Sequence, residues 1–214
     1  MSLSNKETIQ TVNNVVNYSK KQKQENPLYY WILKLNEEFP NDIGVLFPLV
    51  LNLIKLKPTE GMFLQSRVLH SYLKGFAIEL MANSDNVLRG GLTKKHIDIQ
   101  ELLKILDFQS FTPEILKPLS ISTYESLYKI PIEDFSLSKI VVNKNDCYKG
   151  IQGHNVEIMI CINGDGKIID LKSQKTILLP KGKSIIIPAI VKRYEIRGDL
   201  MIYKATAYKD FIVI

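Results

Sequence analysis

His70 is the residue of this sequence whose type and surroundings most favour a role in chemistry. It follows the turn Pro58-Thr-Glu-Gly61 and a short apolar segment at residues 62–64. An imidazole nitrogen at this place could bind a metal ion, and a zinc site needs three or four ligands that converge on one point. A lone histidine near apolar neighbours is more often a hydrogen-bonded structural residue, so both interpretations stay open. His96 is interpreted as a surface residue near the start of a helix.

Glu79 is the second candidate, because it stands in the apolar run Phe76-Ala-Ile-Glu-Leu-Met-Ala. This run predicts a β-strand over residues 76–82, whose alternation would turn Glu79 either to solvent or to the interior. Burial would raise the pKa of the carboxyl group toward the range that suits general acid–base chemistry. The residues alone do not decide between the two orientations.

Arg89 is the third candidate and lies in the polar loop Ser84-Asp-Asn-Val-Leu-Arg-Gly-Gly-Leu-Thr. A planar, permanently charged guanidinium can hydrogen-bond anionic oxygens. Gly90 and Gly91 fit a loop whose backbone approaches a ligand closely. The alternative is an arginine in a surface ion pair. Asp85 and Asn86 predict hydrogen bonds that organise the loop rather than chemistry.

The elements that would position these residues are a helical start and a strand-rich remainder. Apolar residues recur at helical spacing in residues 8–20 and 28–39, and Asn41 or Asp42 is a plausible N-cap for a third, short helical segment. Asp98, with Glu101 three residues later, predicts a capping box at the start of a further helix. Residues 111–130 are interpreted as a connector. Short strands are predicted over residues 134–142, 156–163, 167–171, 176–179, 184–188, 193–196 and 200–208, with turns at 163–166 and 180–182.

Composition limits the class of protein. Hydrophobic residues make up 45% and charged residues 23% of the 214 positions, which is ordinary for a soluble globular protein. No apolar run approaches the roughly 20 residues of a membrane span, and the N-terminus resembles no secretory signal. The two cysteines form neither a metal-type spacing nor a disulfide framework, so a cytoplasmic protein is predicted. The net charge of +6 comes mostly from dispersed lysines, which predicts no nucleic-acid partner.

Residues 58–106 resemble a known family. The stretches Gly61-Met-Phe-Leu, His70-Ser-Tyr-Leu-Lys-Gly and Glu79-Leu-Met-Ala-Asn-Ser-Asp-Asn-Val-Leu-Arg-Gly-Gly-Leu-Thr resemble the type I phosphomannose isomerases. These are zinc-dependent mannose-6-phosphate isomerases built on cupin barrels, which are double-stranded β-helices of the jelly-roll type. The resemblance implies a mainly β protein with a helical N-terminal part. Residues 1–50 would end a helical domain, 51–127 would form a partial catalytic cupin barrel with a helix and connector, and 128–214 a C-terminal cupin-like domain.

The resemblance also implies zinc as the cofactor, with His70 as one of its ligands. In the family the other ligands are a Gln-x-His pair and a glutamate, from an N-terminal segment that this sequence does not contain. Gln152-Gly-His154 with Glu157 offers the same letters, but it lies in the part that resembles the non-catalytic barrel, and we interpret it as a turn. Leu69 stands where the family usually has a proline.

Four further roles follow from the resemblance. Arg89 would contact the negative charge that develops on the sugar oxygens of an enediolate, and Glu79 is a candidate proton carrier. Tyr72 would share the strand face of His70 and could contact the sugar, with core packing as an equal alternative. Lys95 would support the substrate phosphate as a point charge, although Lys94 replaces a proline of the family.

The resemblance therefore implies the C-terminal part of an isomerase that interconverts mannose 6-phosphate and fructose 6-phosphate, inactive or nearly so as this chain alone. One alternative is a non-catalytic cupin-type carbohydrate-binding or regulatory module. Another is a structural protein that self-associates through the strand edges of an incomplete barrel. An open pocket shared by His70 and Arg89 would favour the isomerase, whereas a His70 packed shut against apolar side chains would favour the module.

Overall fold

The helices and the long strands belong to two different units of the chain. The computed structural model describes residues 4–22, 26–84, 87–150 and 155–207. The first unit comprises Met1–Leu56, Leu64–Gly75 and Asp85–Pro113, and the second comprises Lys57–Phe63, Phe76–Ser84 and Glu114–Ile214. None of the helices in the described residues has the length and apolar character needed to cross a bilayer.

The first two helices begin where their capping residues stand. Helix α1, Asn5–Lys21, starts with a capping box, in which the Ser4 hydroxyl accepts from the backbone N–H of Glu7 and the Glu7 carboxylate accepts from that of Ser4. Helix α2, Pro27–Glu38, starts at Asn26, whose side-chain oxygen accepts from the N–H of Leu28. Both helices were predicted from apolar spacing and are confirmed.

Two shorter helices complete the first unit. The 3₁₀ helix Ile43–Leu49 begins after Asp42, and helix α3, Ile99–Ile105, begins after Asp98, so both predicted aspartate caps are confirmed. The capping box is not completed at α3, where the recorded contact runs from the Glu101 backbone N–H to the Asp98 carboxylate. The buried core of this unit lies between α1, α2 and the 3₁₀ helix and consists of Val12, Val16, Ile32, Leu35 and Val45.

Residues 50–98 contain much less regular structure than predicted. The described part of this stretch has one strand, β1 at Gly61–Met62, which pairs antiparallel with β2 at Ile115–Leu116. The prediction of a strand over residues 76–82 is wrong. A strand needs a neighbour for its backbone hydrogen bonds, and no described strand pairs with this segment. The apolar pattern is present, but a partner for it is not among the described residues.

The predicted connector is also corrected. Residues 111–130 contain β2 together with β3, Leu119–Ser120, and β4, Glu125–Tyr128, which joins the main sheet. Tyr128 anchors the turn at residues 58–61, because its hydroxyl donates to the carbonyl oxygen of Thr59 at 2.8 Å. The turn is thus held against the start of the sheet in the second unit.

The second unit is an antiparallel sheet of eight strands. Its order is β3-β4-β5-β10-β7-β8, with β6 paired to β10 and β9 paired to β7. The remaining strands are β5 Phe135–Val142, β6 Cys147–Lys149, β7 Glu157–Asp170, β8 Thr176–Pro180, β9 Ser184–Ile187 and β10 Tyr194–Ala207. Alternate residues of these strands point inward and form a core of Ile140, Val142, Tyr148, Met159, Cys161, Ile168, Leu179, Ile187, Tyr194, Ile196, Leu200 and Ile202.

Two long strands replace four predicted short ones. Strand β7 covers both predicted strands at 156–163 and 167–171, and β10 covers those at 193–196 and 200–208. The predicted turn at residues 163–166 therefore lies inside β7. A Cβ on Gly164 would overlap the carbonyl oxygen of Asp199 on β10, so glycine here permits close strand approach rather than chain reversal. The turn predicted at 180–182 is confirmed.

The long pair β7–β10 changes its neighbours at this glycine-rich point. The first part of β7 pairs with β9 and the later part with β8, whereas β10 pairs first with β6 and then with β5. The register between β7 and β10 also shifts between Met201 and Ile202. Each long strand therefore supports two sets of neighbouring strands, which suits a sheet that folds around its own core.

Candidate functional site

A cleft of about 190 Å³ in the first unit contains two of the predicted site residues, His70 and Arg89. One wall comes from the 3₁₀ helix and the residues after it, a second from the segment around His70, and a third from the glycine loop that carries Arg89. The lining residues are Phe47, Leu51, Leu69, His70, Ser71, Leu88, Arg89, Gly90, Gly91 and Leu92. A cationic side chain and an imidazole thus face one partly apolar space.

The His70 side chain is exposed, and one of its ring nitrogens contacts a backbone carbonyl. Its Nδ1 atom lies 2.9 Å from the carbonyl oxygen of Val68, which can only accept a hydrogen bond. Nδ1 therefore carries the hydrogen, and Nε2 is left with a lone pair. Histidines that bind metals commonly donate from one ring nitrogen to a carbonyl in this way. His70 thus fits zinc as one ligand.

The described residues do not complete a metal site. No group of three or more histidine, cysteine, aspartate or glutamate side chains that could hold a metal ion occurs among them. Gln152, Gly153 and His154 lie outside the described residues. Glu157 is buried in the second unit, where its carboxylate accepts from Tyr194 and lies 3.3 Å from the ammonium of Lys204. The Glu157 carboxylate is therefore engaged by contacts in the sheet core rather than by a metal site.

The loop that carries Arg89 is held by close backbone packing. A Cβ on Gly90 would stand 2.7 Å from Leu69 Cδ1, and a Cβ on Gly91, whose φ is +155°, would stand 3.2 Å from Gly44 Cα. The two glycines therefore let the loop fit between the segment before His70 and the 3₁₀ helix. The Arg89 side chain is exposed, and no ion pair to it is recorded within the described ranges.

The other three predicted residues lie outside the lining of this cleft. Tyr72 is 64% exposed, and its ring meets the His70 ring edge-on, with 6.0 Å between the centroids. Lys95 is exposed, and its backbone N–H donates to the Thr93 hydroxyl at 3.1 Å. Glu79 belongs to the second unit and is exposed, so of its two predicted orientations the solvent-facing one is observed. The apolar run around Glu79 led to a wrong strand prediction, because it pairs with no described strand.

Asp42 lies beside the Arg89 loop, although the sequence indicated it only as a helix cap. Its Oδ1 atom accepts from the backbone N–H of Gly44 at 2.7 Å, and its Oδ2 atom accepts from that of Leu92 at 3.0 Å. The second bond joins positions 50 residues apart. Capping propensity could indicate the first contact, but no local pattern could indicate the second.

The second unit contains a buried polar cluster that the sequence analysis missed. The ammonium of Lys204 lies 2.8 Å from Glu125, 3.3 Å from Glu157 and 3.1 Å from the Tyr148 hydroxyl. Tyr148 and Tyr194 donate to Glu125 and Glu157 respectively, and Ser138 donates to Glu125. The signal available in the sequence was Lys204, a charged residue at the next inward position after Ile202 in β10. We call these six residues, Glu125, Ser138, Tyr148, Glu157, Tyr194 and Lys204, the sheet-core cluster.

The charged groups of the sheet-core cluster stabilise one another. Burial disfavours the charged form of Lys204, but Tyr148 and the two carboxylates hold its pKa above the ordinary value. Burial likewise acts to raise the pKa of Glu125, but Lys204, Ser138 and Tyr148 hold it below its ordinary value. No buried side-chain nitrogen or oxygen of the described residues lacks a hydrogen-bond partner. The cluster therefore has a structural role in the sheet core.

Comparison with known proteins decides the family. The sequence profile of the family "Mannose-6-phosphate isomerase, cupin domain" matches residues 125–206. The Escherichia coli mannose-6-phosphate isomerase is 35% identical over 176 residues, and the rat mannose-6-phosphate isomerase is 35% identical over 185 residues. The chain belongs to the mannose-6-phosphate isomerase family. The match covers 82% of this chain and 44% of the E. coli protein, and 81% and 43% for the rat protein.

Solved structures of the mannose-6-phosphate isomerase family have the same fold. The Salmonella typhimurium enzyme, in a crystal structure bound to its substrate and to zinc, superposes with a TM-score of 0.76 at 30% identity. That match covers 94% of this chain and 49% of the Salmonella chain. The sheet of the second unit is accordingly a cupin-type β fold, as predicted. The chain spans less than half the length of the curated relatives described here.

Proposed function

We propose that this chain is the C-terminal part of a zinc-dependent isomerase that interconverts mannose 6-phosphate and fructose 6-phosphate. The observation that carries the proposal is the open cleft shared by His70 and Arg89 in a member of the mannose-6-phosphate isomerase family. Within this proposal, residues 1–50 end a helical domain, 51–127 form part of a catalytic cupin barrel, and 128–214 form a second cupin domain. The relatives' greater length is consistent with a barrel completed by further residues.

His70 would hold zinc through Nε2, since Nδ1 is directed at the Val68 carbonyl. Bound zinc would supply polarisation of the carbonyl and hydroxyl oxygens at C1 and C2 of the sugar. The remaining ligands would come from residues beyond this chain or from those outside the described ranges. A single histidine binds zinc weakly, which is why we expect this chain alone to be inactive or nearly so.

Arg89 would stabilise the transition state. Isomerisation through an enediolate places negative charge on the oxygens at C1 and C2, and a guanidinium can donate two parallel hydrogen bonds to such a pair. Glu79 would carry the proton between C1 and C2. Its carboxylate is exposed in this chain, so this role requires that a further part of the isomerase cover it.

Tyr72 and Lys95 would bind substrate. The Tyr72 ring meets the His70 ring, so a sugar bound near a His70-held metal would contact the tyrosine. Lys95 follows the Arg89 loop and would attract the 6-phosphate. The proposed partners are therefore the sugar phosphate and the remainder of the isomerase. A cytoplasmic location in carbohydrate metabolism agrees with the free thiols of Cys147 and Cys161.

A chimera tests the proposal. The part of the E. coli isomerase that precedes its match to this chain would be joined to residues 1–214, and mannose 6-phosphate turnover would be measured with and without zinc. We expect zinc-dependent turnover by the chimera and none by the chain alone. His70→Ala should abolish turnover and zinc retention, and Arg89→Lys should lower kcat about a hundredfold.

His96→Ala serves as the control, because His96 is exposed and does not line the cleft. A folded, zinc-loaded chimera without turnover would contradict the isomerase proposal. Retained binding of mannose 6-phosphate in such a chimera would instead support a non-catalytic cupin-type binding module. A non-catalytic binding module would agree with the structure, because no complete metal site lies within the described residues.

A further inference from the structure

The carboxylate of Asp42 accepts two hydrogen bonds, one from the helix that it caps and one from a distant loop. The bond from Gly44 N–H to Oδ1, 2.7 Å long, caps the 3₁₀ helix Ile43–Leu49. The bond from Leu92 N–H to Oδ2, 3.0 Å long, reaches the end of the loop that carries Arg89. An N-cap needs only one side-chain acceptor. The second oxygen therefore does something that capping does not require.

The junction around this carboxylate is closely packed. A Cβ on Gly91 would stand 3.2 Å from Asp42 Oδ1 and 3.2 Å from the ring of Phe47. A Cβ on Gly44 would stand 2.9 Å from Leu92 Cγ. The backbones at Gly44 and Gly91 thus approach as closely as two glycines allow, and Asp42 hydrogen-bonds across the junction. A sideways shift of the loop would break the bond to Leu92.

The other side of the loop meets the segment that carries His70. Gly90 packs against Leu69, where an added Cβ would stand 2.7 Å from Cδ1. Residues 89–92 are therefore held between Asp42 on one side and Leu69 on the other. Arg89 and His70 line one cleft beside these two contacts.

We infer that Asp42 is a positioning residue of the isomerase site, which fixes the Arg89 loop beside His70 through its bond to Leu92. That Asp42 serves an isomerase site rests on the proposed function. That Asp42 positions the loop rests on the geometry alone. Asp42 touches neither proposed substrate nor metal. Its contribution is to reduce the number of loop conformations in which the guanidinium faces the cleft.

Asp42→Ser separates the two contacts. A serine hydroxyl can still accept from the Gly44 N–H as an N-cap, but it is too short and has too few oxygens to reach Leu92 as well. Asp98→Ser is the matched control, because Asp98 caps α3 through the Glu101 N–H alone. Gly91→Ala disturbs the same junction from the loop side, because its Cβ would stand 3.2 Å from both Asp42 Oδ1 and Gly44 Cα.

The first measurement is made on the isotope-labelled 214-residue chain by NMR. In Asp42→Ser, the Leu92 amide should exchange at least tenfold faster, the Gly44 amide should stay protected, and the contact between Gly90 and the Leu69 methyl should weaken. Gly91→Ala should reproduce the Leu92 and Gly90 effects, and Asp98→Ser should produce neither. Unchanged Leu92 exchange in Asp42→Ser would overturn the inference, as would equal loss of protection at Gly44, which marks simple loss of the cap.

The second measurement uses the chimera described above. Asp42→Ser should lower kcat about tenfold with little change in KM and with full zinc retention, whereas a merely destabilised protein would lose zinc and turnover together. Unchanged kcat in an active chimera whose Leu92 amide exchanges faster would overturn the inference. An inactive wild-type chimera would count against the proposed function, and the NMR result would then decide the positioning claim by itself.

Discussion

At the scale of single residues, the sheet-core cluster is the place where one substitution should have the largest effect. Lys204 is 4% exposed and neutralises part of the charge of two carboxylates. Removal of one partner from a buried ion pair leaves an uncompensated charge in a medium of low polarity. The same cluster lies in the interior of the cupin sheet, where apolar side chains surround it. Its stability therefore depends on the complete set of partners.

Lys204→Met should lower the free energy of unfolding of the second unit by about 3–5 kcal/mol, because Glu125 and Glu157 lose their buried counter-charge. Urea denaturation followed by circular dichroism measures this change. Lys104→Met is the control, since its ion pair with Glu101 is exposed, and its urea midpoint should equal that of the wild type. Equal midpoints for all three proteins would show that Lys204 contributes nothing net.

The same cluster predicts an acid limit to stability. The folded-state pKa of Glu125 lies below its ordinary value, so its ionisation stabilises the fold fully above the unfolded pKa of about 4.3. That stabilisation is lost as the pH falls through the lowered folded value. The urea midpoint should therefore decrease below about pH 4.3, and Glu125→Gln should be less stable at neutral pH with a flatter acid response. The exposed Glu133→Gln should follow the wild-type curve.

Residue-scale prediction from the sequence succeeded where a motif was local and failed where contacts were distant. His70 and Arg89 stood in recognisable stretches, and both line the cleft. Glu79 was interpreted through an alternating pattern that has no paired strand in this chain. The bond from the Leu92 N–H to Asp42 and the contact of Lys204 with Tyr148 each link positions 50 or more residues apart, so no short window of sequence could contain them.

At the scale of elements, helices were predictable because their signals are local. Helix starts are specified within a few residues by a capping residue and by the apolar spacing that follows it. The capping residues are Ser4, Asn26, Asp42 and Asp98. Strands depend on partners elsewhere in the chain. Asn163-Gly-Asp-Gly166 predicted a turn, whereas these residues continue β7 because β10 lies directly against them.

Gly164→Ala tests that explanation at the level of the strand pair. A Cβ at this position, where φ is +71°, would clash with the Asp199 carbonyl oxygen. Gly182→Ala is the control, because φ is +84° there but no atom lies within 4 Å of the added Cβ. We expect Gly182→Ala to lower the free energy of unfolding by about 1–2 kcal/mol, and Gly164→Ala to exceed that loss by about 1–3 kcal/mol. Thermal unfolding would measure both, and equal losses would contradict close strand approach as the reason for glycine.

At the scale of the whole molecule, an exposed apolar segment and the greater length of the relatives both favour an interaction surface on this chain. The chain spans less than half of the curated relatives described above. Phe76, Ile78 and Met81 are all exposed in one short segment of the second unit. Three apolar side chains in six residues would form an apolar patch of the kind that usually marks an interaction surface.

We therefore expect the isolated 214-residue chain to associate with itself through this segment, residues 76–81. Sedimentation velocity should show a weight-average mass that rises with protein concentration, because apolar burial between copies offsets the entropy of association. Phe76→Ser combined with Met81→Ser should shift the population toward monomer, since both side chains are exposed. Ile190→Ser removes an equally exposed apolar side chain from a turn of the same unit and should leave the association unchanged. A monomer at every concentration tested, or an equal effect of Ile190→Ser, would show that residues 76–81 do not drive association, and the incomplete-barrel interpretation would lose its support at this surface.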